Sequence, residues 1–216
     1  MSDIETKIQQ LTSALLAGKS EEARQNAYAA LAMGSTPNEI LDTLVDAANI
    51  AAELRDVEEY NQEKVSAVES AIGACLQVIE DRLVMAEGRF NLKAATGPIG
   101  IKAGSLLSLA VAASLRAVGF RSFNLGKSQT PLELLRNSEE LGADLVIPLL
   151  SADDVERQLR DFIEAFERGG FKTKFEVIPV APGFPELAQT SVVIARNSSE
   201  AISKATEWAL KKGKQK

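Results

Sequence analysis

The chain has 216 residues, of which 45% are hydrophobic, 25% charged and 5% aromatic. This composition is typical of a folded globular protein and excludes a disordered or fibrous one. The formal net charge of −6 argues against a nucleic-acid-binding surface, because such a surface needs a clustered basic face. The length is sufficient for one large or two small domains.

Histidine and cysteine usage narrows the possible chemistry. The chain has no histidine, so it cannot build a Ser-His-Asp or Cys-His catalytic site or a histidine zinc site. The single cysteine, Cys75, lies on an apolar helical stripe, where we expect it to be buried. There is no run of about 18 apolar residues and no signal-peptide pattern. We therefore expect a cytoplasmic protein without membrane or nucleic-acid partners, and we assign no catalytic and no metal-ligating residue.

The first 88 residues have a helical pattern throughout. Their apolar residues recur at intervals of three and four in four segments with short connections. Thr36, Pro37 and Glu39 form a strong helix start, combining an N-cap, a proline at the first helical position and a reciprocal carboxylate. The pattern predicts a helical bundle (cap) domain over residues 1–88, built as a four-helix bundle.

From residue 89 to residue 216 the period changes to short apolar or alternating runs separated by helical stretches. Strands alternating with helices in this way form a parallel sheet that is covered on both faces. The expected fold is therefore α/β, a flavodoxin-like (Rossmann-like) doubly wound five-stranded parallel sheet. The predicted strands are residues 90–95, 120–125, 145–150, 175–180 and 192–195.

In an open sheet of this type, ligands bind beyond the carboxyl ends of the strands, where the strand order reverses. For the flavodoxin-like order this point lies between the first and third strands, so the candidate site comprises residues 96–105, 149–153 and 180–184. Glycines in the first loop either let backbone approach a ligand or only serve the turn, and both interpretations stay open. The candidate residues from the three loops are Thr96, Gly97, Gly100, Ile101, Lys102, Gly104 and Ser105, then Leu150 and Ser151, then Ala181, Pro182 and Gly183.

The order of parts resembles a known family, the cobalamin-binding module of corrinoid proteins and of cobalamin-dependent methionine synthase. The clearest stretches are residues 15–23, 34–41, 118–126 and 141–146, and the resemblance covers nearly the whole chain. It implies a helical cap followed by a Rossmann-like cobalamin-binding domain, with cobalamin (a corrinoid, vitamin B12) as the cofactor.

The family's diagnostic motif, D-x-H-x-x-G, supplies a histidine to cobalt from below. In the closest register this chain reads Ile99-Gly100-Ile101-Lys102-Ala103-Gly104, and only the glycine is kept. An alternative register places Lys102 and Gly104 at the aspartate and histidine positions. In neither register can the loop supply an imidazole, so we expect cobalamin to bind with its own nucleotide base on cobalt or with no protein ligand below it.

The resemblance also implies contacts and a role. Ala51 and Leu54 take the positions that face the upper side of the corrin, and Tyr60 is the nearest aromatic residue. The implied role is a non-catalytic subunit that carries a methyl group between methyltransferase partner proteins, with a homo-oligomer possible. The alternative is a degenerate relative that serves as a regulatory or protein-interaction module without a corrinoid.

Overall fold

The computed structural model describes residues 3–84, 88–100, 104–126, 129–151, 154–182 and 192–213. The backbone divides into two compact units, Met1–Ala86 and Glu87–Lys216. In the described part of the chain, no helix is long and apolar enough to cross a membrane.

The N-terminal unit is a bundle of four helices, as predicted. Helix α1 packs on α2, α3 and α4, and α4 also packs on α2 and α3. Large apolar side chains at helical spacing fill the centre and are almost fully buried, among them Leu11, Leu15, Ile40, Leu44, Ile72 and Ile79. The helices are α1 (Asp3–Ala17), α2 (Ser20–Ala32), α3 (Pro37–Asp56) and α4 (Gln62–Val84).

The predicted capping box at the start of α3 is present. The Glu39 N–H donates to the Thr36 hydroxyl at 3.2 Å, and the Thr36 N–H donates to the Glu39 carboxylate at 2.7 Å. Both backbone N–H groups are thus satisfied where the helix itself offers no acceptor. Cys75 is buried in α4, as its stripe predicts, and burial raises the pKa of its thiol to about 12.

The C-terminal unit alternates strand and helix. Its strands are short and apolar, and its helices α6 and α8 begin at side-chain caps, formed by Thr130 with Glu133 and by Asn197 with Glu200. The elements are β1 (Lys93–Ile99), α5 (Gly104–Val118), β2 (Arg121–Asn124), α6 (Pro131–Glu140), β3 (Leu145–Leu150), α7 (Val155–Arg168), β4 (Glu176–Val177) and α8 (Ser198–Gly213).

The sheet is parallel throughout, with strand order β2-β1-β3-β4. Helices α5 and α8 pack together, as do α6 and α7. Alternate residues of β1 and β3, such as Ala95, Ile99, Val146 and Leu150, lie in one apolar core with residues of α6 and α7. The sheet is therefore a layer between two helix pairs, which is the doubly wound arrangement.

The prediction of a fifth strand is not met among the described residues. Ala195 makes only an isolated parallel bridge to Val180, and Val180 makes one to Leu149. The fourth strand is also shorter than predicted: regular pairing covers only Glu176 and Val177, although the Val180 N–H still donates to the Pro148 carbonyl at 2.8 Å. The described sheet thus has four strands. The segments near Val180 and Ala195 run alongside it and are joined to it by isolated parallel bridges.

Candidate ligand-binding site

The strand order places a switch point between β1 and β3, as expected for the flavodoxin-like order. Strand β1 pairs with β2 on one side and with β3 on the other. The register pairs Ile99 with Leu150, so Gly100 and Ser151 leave the sheet side by side. Ligands of open parallel sheets bind at this kind of edge.

Strand β1 runs further toward the switch point than predicted. It was expected to end at residue 95 with a loop from Thr96, but Thr96 and Gly97 are paired with β3 and the strand ends at Ile99. Glycine followed by proline normally marks a turn. Here Pro98 needs no N–H partner, and its carbonyl accepts from the Gln129 N–H at 3.1 Å.

Thr96 is a structural member of the sheet. It is fully buried, and its hydroxyl donates to the Ile147 carbonyl at 2.9 Å. Its own carbonyl accepts from the Leu125 N–H at 2.8 Å, and the Ser108 hydroxyl oxygen lies 3.2 Å from the same carbonyl oxygen. Thr96 therefore connects β1, β2, β3 and α5 from inside the fold.

Gly97 is explained by close packing. A Cβ atom at this position would lie 2.8 Å from Cδ1 of Leu134 and 3.2 Å from Cβ of Leu125. Real Cβ atoms do not approach other atoms so closely, so a side chain at residue 97 would have to displace the end of Leu134 and press on Leu125. Glycine at this position therefore favours the close packing of α6 on the sheet.

Gly100 is explained by its backbone and lies beyond the strand end. Its φ angle is +65°, in the left-handed region that favours glycine. A Cβ atom there would lie 3.6 Å from Nε2 of Gln158, which is ordinary contact. The structure thus gives Gly97 a packing role and leaves Gly100 at the switch point.

Leu150, Ser151, Ala181 and Pro182 form the opposite side of this edge. Leu150 and Ala181 are buried in the core shared with α6 and α7. The Leu150 N–H donates to the Val180 carbonyl at 3.0 Å, which keeps the two segments adjacent. Ser151, directly after β3, is 7% exposed, and Pro182 is half-buried.

Gln158, a residue that sequence reasoning missed, lies at the same place. Its side-chain Oε1 accepts from the Ser151 N–H at 3.0 Å. It is on α7, which begins at Val155, after Asp154 in a left-handed conformation. A glutamine among Glu156, Arg157 and Arg160 has the sequence signal of an ordinary exposed helix face, so no pattern identifies it.

Asn124 and Ser108 brace the other side of β1 and were also missed. The Ser108 hydroxyl donates to Asn124 Oδ1 at 2.6 Å, and the same oxygen accepts from the Gly126 N–H at 2.9 Å. Ser108 is fully buried, so this contact ties α5 to the end of β2. The sequence signal for Ser108 is weak, because it is one of three serines in the mostly apolar α5, with Ser105 and Ser114.

Some predicted site residues are not described with side chains. Gly104 is the first residue of α5, and Ser105 follows it in the same helix. Ile101, Lys102 and Gly183 lie outside the described residues.

The predicted residues of the helical unit lie on and after α3. Ala51 is fully buried and Leu54 is half-buried. The Tyr60 hydroxyl donates to the Leu16 carbonyl at 2.9 Å, and its N–H donates to the Leu54 carbonyl at 2.9 Å. Tyr60 therefore holds the α3–α4 connection against the end of α1.

The donor chemistry of the chain limits what the site can ligate. No histidine exists, and the Cys75 thiol is buried in the helical unit with a raised pKa. Across the described residues, no group of three or more cysteine, aspartate and glutamate side chains could hold a metal ion. The described residues at the switch point are neutral, with Gly100, Ser151 and Gln158 nearest to the strand ends.

A shallow groove of about 490 Å³ lies elsewhere, along α6 and α7. It includes none of the predicted site residues, and three of its six lining residues are charged. Its lining residues are Leu132, Asp161, Glu164, Ala165, Arg168 and Gly169.

No family model matches the sequence, and no curated protein matches it. Among solved structures, the chain is similar to the monomethylamine corrinoid protein of Methanosarcina barkeri, with a TM-score of 0.69 and 15% identity over 94% of this chain and 99% of that one.

Two further structures match with TM-scores below 0.5, which do not establish a shared fold by themselves. One is the methanol:cobalamin methyltransferase complex of Methanosarcina barkeri, with a TM-score of 0.46 and 14% identity over 95% of this chain and 80% of that one. The other is a cobalamin-binding protein of Desulfitobacterium hafniense DCB-2, with a TM-score of 0.47 and 12% identity over 96% of this chain and 99% of that one.

The match to the monomethylamine corrinoid protein confirms, at the level of the fold, the resemblance inferred from the sequence. This chain has the fold of a corrinoid protein.

Proposed function

We propose that this chain is a corrinoid-binding protein that holds cobalamin without a protein histidine and carries a methyl group between methyltransferase partner proteins. It is a cofactor-carrying subunit rather than an enzyme in its own right. It works in the reducing cytoplasm, where a chain with a single buried cysteine needs no disulfide.

The observation that carries the proposal is a whole-chain similarity of fold, combined with the switch point. The match to the monomethylamine corrinoid protein spans both units of this chain. The switch point between β1 and β3 lies where a doubly wound sheet receives its ligand. Fold alone does not fix function, so the residues at the switch point must also suit the ligand.

The described residues suit a corrinoid that needs no imidazole from the protein. A corrinoid is a broad macrocycle rimmed with amides, and it contributes its own cobalt and nucleotide base. The neutral groups of Gly100, Ser151 and Gln158 can meet such a ligand without an unpaired charge. When bound, the corrinoid supplies the cobalt on which a methyl group is carried.

The contribution of the chain itself is to bind and orient. The apolar core under Ile99 and Leu150 fixes the two strand ends, and Ser108 ties α5 to Asn124 beside them. Gly97 allows α6 to pack closely enough to support this edge. Because this edge is already rigid, less conformational entropy is lost when a ligand binds to it.

Retention of added cobalamin tests the proposal. Purified apoprotein is mixed with hydroxocobalamin and passed over a gel-filtration column while the visible absorption of the corrin is followed. We expect colour to elute with the protein in a fixed stoichiometry and to saturate on titration. Serum albumin treated identically is the control for nonspecific adsorption. Elution of all the colour at the small-molecule volume would reject the proposal.

One observation favours a second candidate, a regulatory or protein-interaction module without corrinoid. Gly97 and Thr96 are accounted for by packing within the sheet, and Leu150 and Ala181 are buried in its core. Four of the residues chosen as cofactor contacts therefore have structural roles. Under this candidate the protein remains folded and colourless after the same mixing experiment.

A further inference from the structure

Two chain segments separate at the switch point. From Ile99, β1 leads through Gly100 to α5, whereas from Leu150, β3 leads through Ser151 to α7. Helices α5 and α7 belong to different helix pairs, one of which packs on each side of the sheet. The backbone on either side of the crevice therefore diverges, and no strand pairing is described between these two segments beyond Ile99 and Leu150.

One described side chain spans this divergence. Gln158 lies one turn into α7, and its amide reaches back to the end of β3, where Oε1 accepts from the Ser151 N–H at 3.0 Å. The same amide lies over Gly100 of the other segment. A Cβ atom added to Gly100 would be 3.6 Å from Nε2, 3.7 Å from Cδ and 3.8 Å from Oε1. The near equality of these distances means that the flat face of the amide is turned toward the position that a Cβ of residue 100 would occupy.

We propose that Gln158 is a positioning residue of the corrinoid site, whose amide fixes the segment after β3 against the segment after β1. The inference rests on the proposed function, because a positioning role requires a ligand at this edge. Gly100 is part of this arrangement for two reasons. Any side chain at residue 100 would occupy the space next to the amide, and a residue other than glycine would be strained at the φ angle of +65°.

The test compares two substitutions of similar size. Gln158→Met keeps an unbranched side chain but removes the oxygen that accepts from Ser151, whereas Gln158→Glu keeps that oxygen. Arg160→Met, on an exposed position of the same helix, is the control for the loss of a polar side chain from α7. All variants are compared in the full-length protein.

Two readouts are needed. The first is hydrogen exchange of the Ser151 amide in ligand-free protein, which we expect to become faster in Gln158→Met alone. The second is the dissociation constant for hydroxocobalamin, which we expect to rise about tenfold in Gln158→Met, the equivalent of one hydrogen-bond contribution. Gln158→Glu and Arg160→Met are expected to bind like the unmodified protein.

The outcomes separate this inference from the proposed function. If the unmodified protein binds hydroxocobalamin and Gln158→Met binds it equally well, the positioning role is wrong while the proposed function stands. Unchanged exchange of Ser151 in Gln158→Met would also reject it, because the contact would not exist in solution. If the unmodified protein binds no corrinoid, the proposed function fails and the positioning role fails with it.

Discussion

Gly97 and Gly100 lie three residues apart and are required for different reasons. Gly97 has ordinary backbone angles and no room for a side chain, whereas Gly100 has room for one but a left-handed backbone. Sequence reasoning left open whether the glycines of this loop serve the turn or a ligand. The spacing of the glycines in the sequence cannot decide between these two roles, because the close approach of Gly97 to Leu134 joins residues far apart in the chain.

We predict that Gly97→Ala destabilises the protein by about 1–3 kcal/mol, because the new methyl group overlaps Leu134 and Leu125.

Gly73→Ala is the matched control for the Gly97→Ala substitution. Gly73 is in the interior of α4, and nothing lies within 4 Å of the Cβ that it would gain. Since alanine favours helix over glycine, this variant should be more stable by about 0.5–1 kcal/mol. Urea unfolding followed by circular dichroism measures both, and equal effects of the two substitutions would contradict the packing role.

The helix starts are the elements that sequence alone predicts best. A capping box is local, so residues three apart satisfy one another whatever the rest of the chain does. Thr36 with Glu39 adopts it as predicted, and Thr130 with Glu133 adopts the same arrangement at the start of α6. At the start of α6, a hydrogen bond from the Thr130 N–H lowers the pKa of Glu133 below its ordinary value, and a smaller lowering comes from the hydrogen bond of the Thr130 hydroxyl.

Thr130→Ala should destabilise the C-terminal unit by about 1 kcal/mol, because the Glu133 N–H loses its acceptor. Thr206→Ala is the control, since the Thr206 hydroxyl donates to the Ile202 carbonyl within α8 and caps no helix end. Its cost should stay within about 0.5 kcal/mol. Thermal unfolding of both variants measures the difference, and an equal loss at the two positions would show that the cap contributes nothing.

The same cap predicts a pH dependence. The folded-state pKa of Glu133 lies below its ordinary value of 4.5, so the stabilisation is complete above pH 4.5 and is lost as the pH falls through the lowered folded-state pKa. Glu133→Gln removes the titrating group. The stability difference between the unmodified protein and Glu133→Gln should therefore shrink below pH 4.5, whereas a difference that is constant with pH would contradict this role of the carboxylate.

The strand ends are less predictable than the helix starts. The prediction ended β1 at residue 95 because Gly97 and Pro98 usually break a strand, yet the partners of this strand are supplied by β2, β3 and the segment at Gln129. The fifth strand was predicted from an apolar run at residues 192–195, and only Ala195 makes a bridge in the described structure. Pairing depends on neighbours distant in sequence, so a local pattern cannot fix where a strand ends.

Across the whole molecule, the order of parts was predictable and the candidate site only partly so. Four helices followed by a doubly wound domain leave a clear change of period in the sequence, and the strand order confirms the position of the switch point. Gln158, Ser108 and Asn124 could not be derived in the same way, because they act through side-chain contacts between elements. The absence of histidine is a property of the entire chain, so neither unit can supply an imidazole to a bound corrinoid.

The most direct test of the central claim, that cobalamin binds here without a nitrogen ligand from the protein, is an EPR spectrum of the Co(II) form on uniformly ¹⁵N-labelled protein. The unpaired electron of Co(II) couples to an axial nitrogen, and the isotope of that nitrogen identifies its source. We predict a protein-bound signal that shows either the triplet splitting of ¹⁴N from the cofactor's own base or no nitrogen splitting. A doublet splitting from ¹⁵N, or the absence of any protein-bound cobalt signal, would contradict the claim.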